Sequence, residues 1–181
     1  MSTSILVAYG TKHGSTREVA ESIAATLEEQ DLDVETRPAA DVDDLSRYDG
    51  VVVGGSLYMG RWHPDARGFL RRQREALATR PVAVFAIGPR TTEAKDVAGA
   101  RAQLDGALAK LTAVDPFAVT VFGGVVDPSK LRFPLNRMQA SDARDWEAIH
   151  AWARDIAQTF GYGKPAPKPR DPRSELQQTP R

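Results

Sequence analysis

The sequence predicts an α/β fold in three layers, with a five-stranded parallel sheet of order 2-1-3-4-5 between helices on both faces. Residues 5–8, 51–53 and 82–87 are continuous apolar runs, which are typical of parallel strands buried on both faces. Between such runs, apolar residues recur at helical spacing. This alternation favours a parallel sheet, because right-handed crossovers place the connecting helices over its two faces.

The strands differ in how they end. Residues 34–37 alternate in polarity and stop at Pro38, which suits a strand at the edge of the sheet. The third strand instead runs into Gly54, Gly55 and Ser56. The predicted strands are residues 5–8, 34–37, 51–53, 82–87 and 117–122.

Four helices are predicted from apolar residues that share a helix face. The second helix begins near Pro64, where a proline is favoured because its missing N–H costs nothing. The inward residues are Val19, Ile23 and Leu27; Phe69, Leu70 and Leu77; Val97, Leu104, Leu108 and Leu111; and Trp146, Ile149, Ala153, Ile156 and Phe160.

Length and composition limit the classes of protein that the chain can represent. Its 181 residues suit one domain, which we place at residues 1–160. The 24 basic and 24 acidic residues balance, so charge does not point to nucleic acid as a partner. Cysteine is absent, which excludes disulfides, thiolate metal sites and cysteine nucleophiles, and no metal site is predicted.

The chain has no apolar run of the roughly 20 residues that a transmembrane helix needs. We therefore expect a cytoplasmic protein, with peripheral contact at the inner face of the membrane left open. Residues 161–181 are rich in proline and basic residues and lack apolar periodicity. They are predicted to be a disordered tail.

Residues 10–16 lie where the apolar run of the first strand gives way to helical spacing. The hydroxyls of Thr11, Ser15 and Thr16 can donate hydrogen bonds, and Gly14 lets the backbone approach a ligand closely. A loop at the positive end of a helix dipole is a favourable place for an anion. The spacing excludes the nucleotide-triphosphate loop and the dinucleotide fingerprint. The alternative interpretation is a simple capping box over residues 15–18.

Two further loops, residues 56–63 and 88–93, follow neighbouring strands of the predicted sheet. Both should open at the same edge as residues 10–16, so a flat ring could lie between them. The first of these loops contains Tyr58 and Trp62, which is unusually apolar for an exposed turn. The alternative is that these aromatic residues pack over the helix that begins near Pro64.

Three motifs together resemble one branch of the flavodoxin superfamily, the menaquinone-dependent protoporphyrinogen oxidases. They are Tyr-Gly-Thr-Lys-His-Gly-Ser-Thr at 9–16, Gly-Gly-Ser-Leu-Tyr-Met-Gly at 54–60 and Asp-Trp-Glu-Ala-Ile at 145–149. The resemblance spans about residues 3–160 and implies a flavodoxin-like fold; flavodoxin is itself the standard example of the strand order 2-1-3-4-5.

The resemblance also implies a cofactor, FMN bound without a covalent link, and the residues that hold it. Residues 11–16 would bind the phosphate, and the other two loops would bind the ring. The implied cofactor residues are Thr11, Lys12, His13, Gly14, Ser15, Thr16, Gly55, Ser56, Leu57, Tyr58, Met59, Gly60, Gly88, Pro89, Arg90 and Thr91.

The chain departs from this family after the fifth strand, where the family carries a long apolar and basic insertion. Here only residues 125–138 remain, and Pro134 opposes a continuous amphipathic helix. This weakens the expectation of porphyrinogen oxidation. The loop at 88–92 also has no aromatic residue to cover the ring, so one flavin face could be open to a substrate.

Three functional interpretations remain open. The first is a flavoenzyme that oxidises a bulky, porphyrinogen-like substrate and passes electrons to a quinone or a protein redox partner. The second is a soluble electron carrier, and the third is an interaction module without FMN. No catalytic side chain is assigned, because the flavin supplies the chemistry. Arg61 and Arg90 are candidate substrate contacts, His63 a helix-entry residue, and His150 is predicted on the polar side of the last helix.

Overall fold

The computed structural model describes residues 2–161. Its sheet strands are β1 Ser4–Gly10, β2 Asp33–Pro38, β3 Gly50–Tyr58, β4 Arg61–Trp62, β5 Val82–Ile87, β6 Ala118–Phe122, β7 Val125–Val126 and β8 Ser141–Asp142. Its helices are α1 Ser15–Glu28, α2 Pro64–Arg72, α3 Arg74–Leu77, α4 Ala94–Leu108 and α5 Trp146–Gly161. Single 3-10 turns lie at Ala39–Asp41, Pro128–Lys130 and Leu135–Arg137.

The main sheet has the order β2-β1-β3-β5-β6, and each neighbouring pair in it is parallel. In terms of the five main strands this is the predicted order 2-1-3-4-5, which the structure confirms. The carboxyl ends of β1, β3, β5 and β6 therefore open at one edge, as required for loops that share a site.

Helices cover both faces of the sheet, because the strand side chains alternate between them. On one face, α1 and α5 pack against β-strand residues such as Ile5 and Val7. On the other face, α2 and α4 pack against residues such as Leu6 and Val53. Most predicted inward residues are buried; Val97, Leu108 and Leu111 are half-buried, and Trp146 is 38% exposed at the start of α5.

The prediction of a loop at residues 56–63 is wrong for most of the segment, which forms a β-hairpin. Strand β3 continues to Tyr58, and Leu57 and Tyr58 pair antiparallel with Trp62 and Arg61 of β4. Trp62 is 1% exposed, and its indole Nε1–H donates to the Gly55 carbonyl over 3.1 Å. The hairpin forms because Trp62 turns back under the strand end, where it loses contact with water and satisfies its only donor.

Residues 125–142 form a lobe that stands over the carboxyl edge of the sheet. Its base is the antiparallel pair β7 and β8, and between them lie two short 3-10 turns rather than a helix. Pro134 prevents a continuous helix here, as expected from its missing N–H. Of the tail predicted at 161–181, Gly161 ends α5 and the remaining residues lie outside the part of the chain that the structure describes.

Candidate functional site

The first loop, residues 11–16, joins β1 to α1 at the sheet edge. Gly14 is the N-cap of α1 with φ 94° and ψ −14°, a left-handed conformation that favours glycine. The Thr11 hydroxyl accepts from the Gly14 N–H over 2.9 Å, which holds the loop closed on itself. No side chain caps α1, so the predicted alternative of a capping box over residues 15–18 is wrong. The helix start keeps its N–H groups for a ligand.

Two polar atoms of this loop are buried without a hydrogen-bond partner among the described residues. They are the Thr16 hydroxyl oxygen and the His13 Nε2. Thr16 is completely buried, and leaving such a group unsatisfied costs about 1 to 3 kcal/mol. An anion at the start of α1 would give the hydroxyl an acceptor. The loop therefore fits the phosphate of FMN by its own chemistry.

The hairpin tip at residues 58–60 stands beside the first loop. The Lys12 ammonium lies 4.7 Å from the centre of the Tyr58 ring, a cation–π contact that links the two elements. Met59 and Gly60 form the turn with φ values of 47° and 74°, and the Met59 side chain is 83% exposed. The tip thus presents an apolar rim towards the sheet edge.

The third loop begins at Gly88, immediately after β5. Gly88 N–H donates to the Phe122 carbonyl over 3.1 Å, and the Gly124 N–H donates to the Pro89 carbonyl over 2.9 Å. The Thr91 hydroxyl bonds the Asp96 carboxylate at the start of α4. These bonds fix the loop between the hairpin and the chain that leaves β6.

The lobe is tied to the first loop and to α1 at two points. Lys130 Nζ donates to the His13 carbonyl over 3.2 Å. The Arg144 guanidinium pairs with Asp142 through two hydrogen bonds of 2.9 and 2.7 Å and also with Glu18 of α1. The hydrogen bonds from Arg144 lower the pKa of Asp142, and this pairing raises the pKa of Arg144.

These elements enclose a cavity of about 640 Å³, which we call the loop cavity. Its volume lies within the roughly 300 to 1,000 Å³ of small-molecule and cofactor sites. A cleft of about 80 Å³ at its base adds Lys12 and Ser56. The loop cavity is lined by His13, Ser15, Glu18, Leu57, Tyr58, Met59, Gly88, Arg90, Val125, Val126, Asp127, Lys130, Leu131, Leu135, Met138 and Arg144.

The structure brings most predicted cofactor residues to this edge, but not all of them line the loop cavity. Gly55 lies inside β3, where its carbonyl accepts from the Trp62 indole, and it lines neither the loop cavity nor the cleft at its base. Gly60, Pro89 and Thr91 line a separate space of about 730 Å³, the α4 cavity, between residues 88–91, α4 and residues 139–141. Thr11, Gly14 and Thr16 form the body of the first loop.

Arg61 and Arg90, the two predicted substrate contacts, lie in different places in the fold. Arg90 lines both the loop cavity and the α4 cavity. Arg61 instead lines another cleft with Arg67 and Arg71, between the hairpin and α4. The sequence interpretation treated them as equivalent, because both follow strands that end at the same sheet edge.

Sequence reasoning missed the lobe as a wall of the cavity. Its apolar residues Leu131, Leu135 and Met138 face the site, although residues 125–138 had been interpreted only as a shortened insertion. Glu18 and Arg144 were also missed, since each looks like an ordinary surface charge. The sequence signal that could have indicated the lobe is the pair Gly123 and Gly124, which allows a tight turn of the chain after the end of β6.

Two histidines have structural roles. His63 is the N-cap of α2, where its Nδ1 accepts from the Asp65 N–H over 3.2 Å, as the sequence predicted. Burial lowers the pKa of His63, which favours the neutral imidazole that this accepting role requires. His150, predicted on the polar side of the last helix, is half-buried, and its Nε2 lies 2.8 Å from the Ser22 hydroxyl of α1, so it links α5 to α1 by a polar contact.

Comparison with known proteins agrees with this architecture. A family model described as a flavodoxin domain matches residues 6–139. Over 84 residues, 45% of the chain, the sequence is 26% identical to the protoporphyrinogen IX dehydrogenase [quinone] of Escherichia coli strain K12. That match spans 46% of the relative, so the chain matches about half the length of its curated relatives.

Solved flavodoxins share the fold. Oxidised flavodoxin 2 from Bacillus cereus superposes with a TM-score of 0.56 at 21% identity, covering 88% of this chain and 99% of that one. A mutant flavodoxin from Pseudomonas aeruginosa gives a TM-score of 0.58 at 18% identity, covering 89% and 100%. Within residues 2–161, the helices are too short or too polar for any of them to span a bilayer.

Proposed function

The chain belongs to the flavodoxin-domain family, and on that premise we propose that it binds FMN non-covalently and acts as an oxidoreductase. The observation that carries the proposal is the loop cavity, which is lined by His13 and Ser15 at the uncapped start of α1 and by the loops after β3 and β5. The Thr16 hydroxyl of the same first loop is buried and has no partner within residues 2–161. When bound, FMN supplies the redox chemistry, and the protein supplies position and electrostatics.

Different residues would hold the phosphate and the ring of the cofactor. The first loop would take the phosphate through its N–H groups and the Thr16 hydroxyl. Leu57, Tyr58 and Met59 of the hairpin, with Gly88 and Arg90, would hold the ring. The lobe would exclude water from one side through Leu131 and Leu135.

Arg90 favours an enzyme with its own substrate over a simple electron carrier. It lines the loop cavity and forms no ion pair within residues 2–161, so it could attract a substrate that carries a carboxylate. Lys130 and Arg144 line the same cavity but are paired, Lys130 with Asp127 and Arg144 with Asp142 and Glu18. By analogy with the partial relative in Escherichia coli, the substrate would be porphyrinogen-like and the acceptor a quinone. The substrate would lose electrons in pairs with matching protons, and each quinone would take up one such pair to become the quinol.

The soluble electron carrier is the second candidate. It is supported by the flavodoxins from Bacillus cereus and Pseudomonas aeruginosa, nearly all of whose chains align with this fold. A carrier would need no substrate cavity and would exchange electrons with proteins through the exposed rim at Tyr58 and Met59.

The first experiment titrates FMN-free protein with FMN and follows the quenching of flavin fluorescence. We expect saturable binding, and absence of binding at roughly 50 µM FMN, an affinity weaker than about −6 kcal/mol, would refute the proposal. The second experiment mixes FMN-loaded protein with protoporphyrinogen and menadione without oxygen and follows porphyrin fluorescence. FMN-free protein is the control. No acceleration over this control, together with two well-separated one-electron couples in a redox titration, would favour the carrier.

A further inference from the structure

The α4 cavity lies on the opposite side of the hairpin tip from the first loop. Its floor is the solvent-facing side of α4, at Lys95, Gly99 and Gln103, and its far wall is residues 139–141. With a volume of about 730 Å³ it is large enough for an organic ligand of moderate size. The cofactor phosphate would be held elsewhere, because no residue of the first loop lines this space.

A thin wall separates the α4 cavity from the loop cavity. Leu57, Met59, Gly88 and Arg90 line both spaces. Gly88 packs directly against Leu57, where an added Cβ would come within 2.6 Å of the Leu57 Cβ. A ligand in the α4 cavity would therefore lie next to the residues that would hold the flavin ring.

The charges of the α4 cavity are unbalanced. Arg90 and Lys95 form no ion pair within residues 2–161. The lining carboxylate, Asp96, already accepts from the Thr91 hydroxyl. The surrounding surface combines the apolar side chains of Leu57 and Pro89 with the amides of glutamine residues. The cavity is therefore lined by two cations and by one carboxylate that already accepts a hydrogen bond, and part of its wall is apolar. This combination favours a ligand that is both apolar and anionic.

We infer that the α4 cavity binds a flat organic anion, the substrate or acceptor that exchanges electrons with the flavin. Lys95 and Arg90 would hold its carboxylate or sulfonate, and Leu57 and Pro89 would contact its ring. This inference deepens the proposed function and rests on it for the role of the ligand. The site itself is a property of this chain and can be tested without cofactor.

Gly99 allows a direct test by filling the cavity. A Cβ added at Gly99 would meet no atom within 4 Å, so the Cβ of Gly99→Phe fits without a clash, and its ring is expected to fill part of the cavity that Gly99 lines. Gly106→Phe is the matched control: Gly106 lies on the same helix, has equally open space and lines a different cleft. Both replacements remove a glycine from a helix interior, so neither is expected to weaken α4.

The probe is 1,4-naphthoquinone-2-sulfonate, measured by equilibrium dialysis against FMN-loaded and FMN-free protein. We expect Gly99→Phe to weaken probe binding at least tenfold, while Gly106→Phe and the wild type bind alike and all three bind FMN equally. Unchanged probe affinity in Gly99→Phe would overturn the assignment of this cavity.

Lys95→Gln tests the charge requirement in a variant that keeps the cavity open. We expect about a three- to tenfold loss for the sulfonate probe, because the lysine is exposed to solvent, and less than a twofold change for uncharged menadione. Equal losses for both quinones, or none for the sulfonate, would refute an anion site. If wild-type protein fails to bind FMN, the proposed function is refuted, and the FMN-free titrations still decide this inference.

Discussion

Replacing Thr16 with valine should have opposite effects on the free protein and on its complex with FMN. The Thr16 side chain is completely buried, and its hydroxyl has no partner among residues 2–161. Valine keeps the shape of the side chain and removes the unsatisfied hydroxyl. FMN-free Thr16→Val should therefore be at least as stable as the wild type, with a gain of up to about 1 kcal/mol in the free energy of unfolding.

The affinity for FMN should instead decrease in Thr16→Val. If the hydroxyl donates to a phosphate oxygen, its loss removes a charge-assisted hydrogen bond worth about 1.5 to 3 kcal/mol, or roughly ten- to a hundredfold in affinity. Riboflavin has no phosphate, so its affinity should be almost unchanged. Fluorescence titration with both ligands gives the affinities, and thermal unfolding of FMN-free protein gives the stability.

Thr26→Val is the matched control. Thr26 is the other buried threonine of α1, but its hydroxyl already donates to the Ser22 carbonyl over 3.0 Å. This variant should lose a little stability, on the order of 1 kcal/mol, and bind both ligands normally. The assignment of the first loop as the phosphate site would be wrong if Thr16→Val destabilised the FMN-free protein and weakened FMN and riboflavin equally.

Three further variants test the surroundings of the site. Trp62→Phe removes the indole N–H that donates to the Gly55 carbonyl and should lower the free energy of unfolding by about 1 to 3 kcal/mol in urea; an unchanged midpoint would contradict a stabilising role for this bond. Burial lowers the pKa of His63, so its stabilising contribution is complete above about pH 6.5 and is lost as pH falls towards its folded pKa. Wild-type protein should thus lose more stability than His63→Asn between about pH 7.5 and 5.5, and the reverse order would disprove a buried neutral imidazole. Arg144→Met leaves the Glu18 carboxylate without its cation beside the first loop and should reduce FMN affinity about two- to fivefold. A double variant that also carries Glu18→Gln should recover the affinity. No recovery would show that the Glu18 charge is not the cause.

The layered fold could be predicted because each of its signals is local. Val19, Ile23 and Leu27 lie on one helix face by spacing alone, and the apolar run 82–87 needs no knowledge of its neighbours to be read as a buried strand. The first loop was predictable for the same reason, since the change from strand to helical spacing coincides with Gly14 and its flanking hydroxyls.

The hairpin and the lobe depend on contacts that spacing does not reveal. Trp62 could be placed near the site or in the core with equal justification, because the deciding bond is to a carbonyl within the preceding strand. Arg144 and Glu18 are 126 positions apart, so neither carries a sequence signal of the other. Residues such as these are identified only when the chain has been folded in three dimensions.

The two ties between the lobe and the start of α1 also bear on the order in which the molecule assembles. Lys130 bonds the His13 carbonyl across 117 positions, and Arg144 reaches Glu18 across 126. Closing loops of this length is slow compared with forming the local contacts of β1 and α1. During synthesis, nearly the whole described chain must therefore be made before the lobe can cover the first loop. We expect refolding protein to regain its helical circular dichroism before it can retain FMN, and the interval between these two events measures the docking of the lobe.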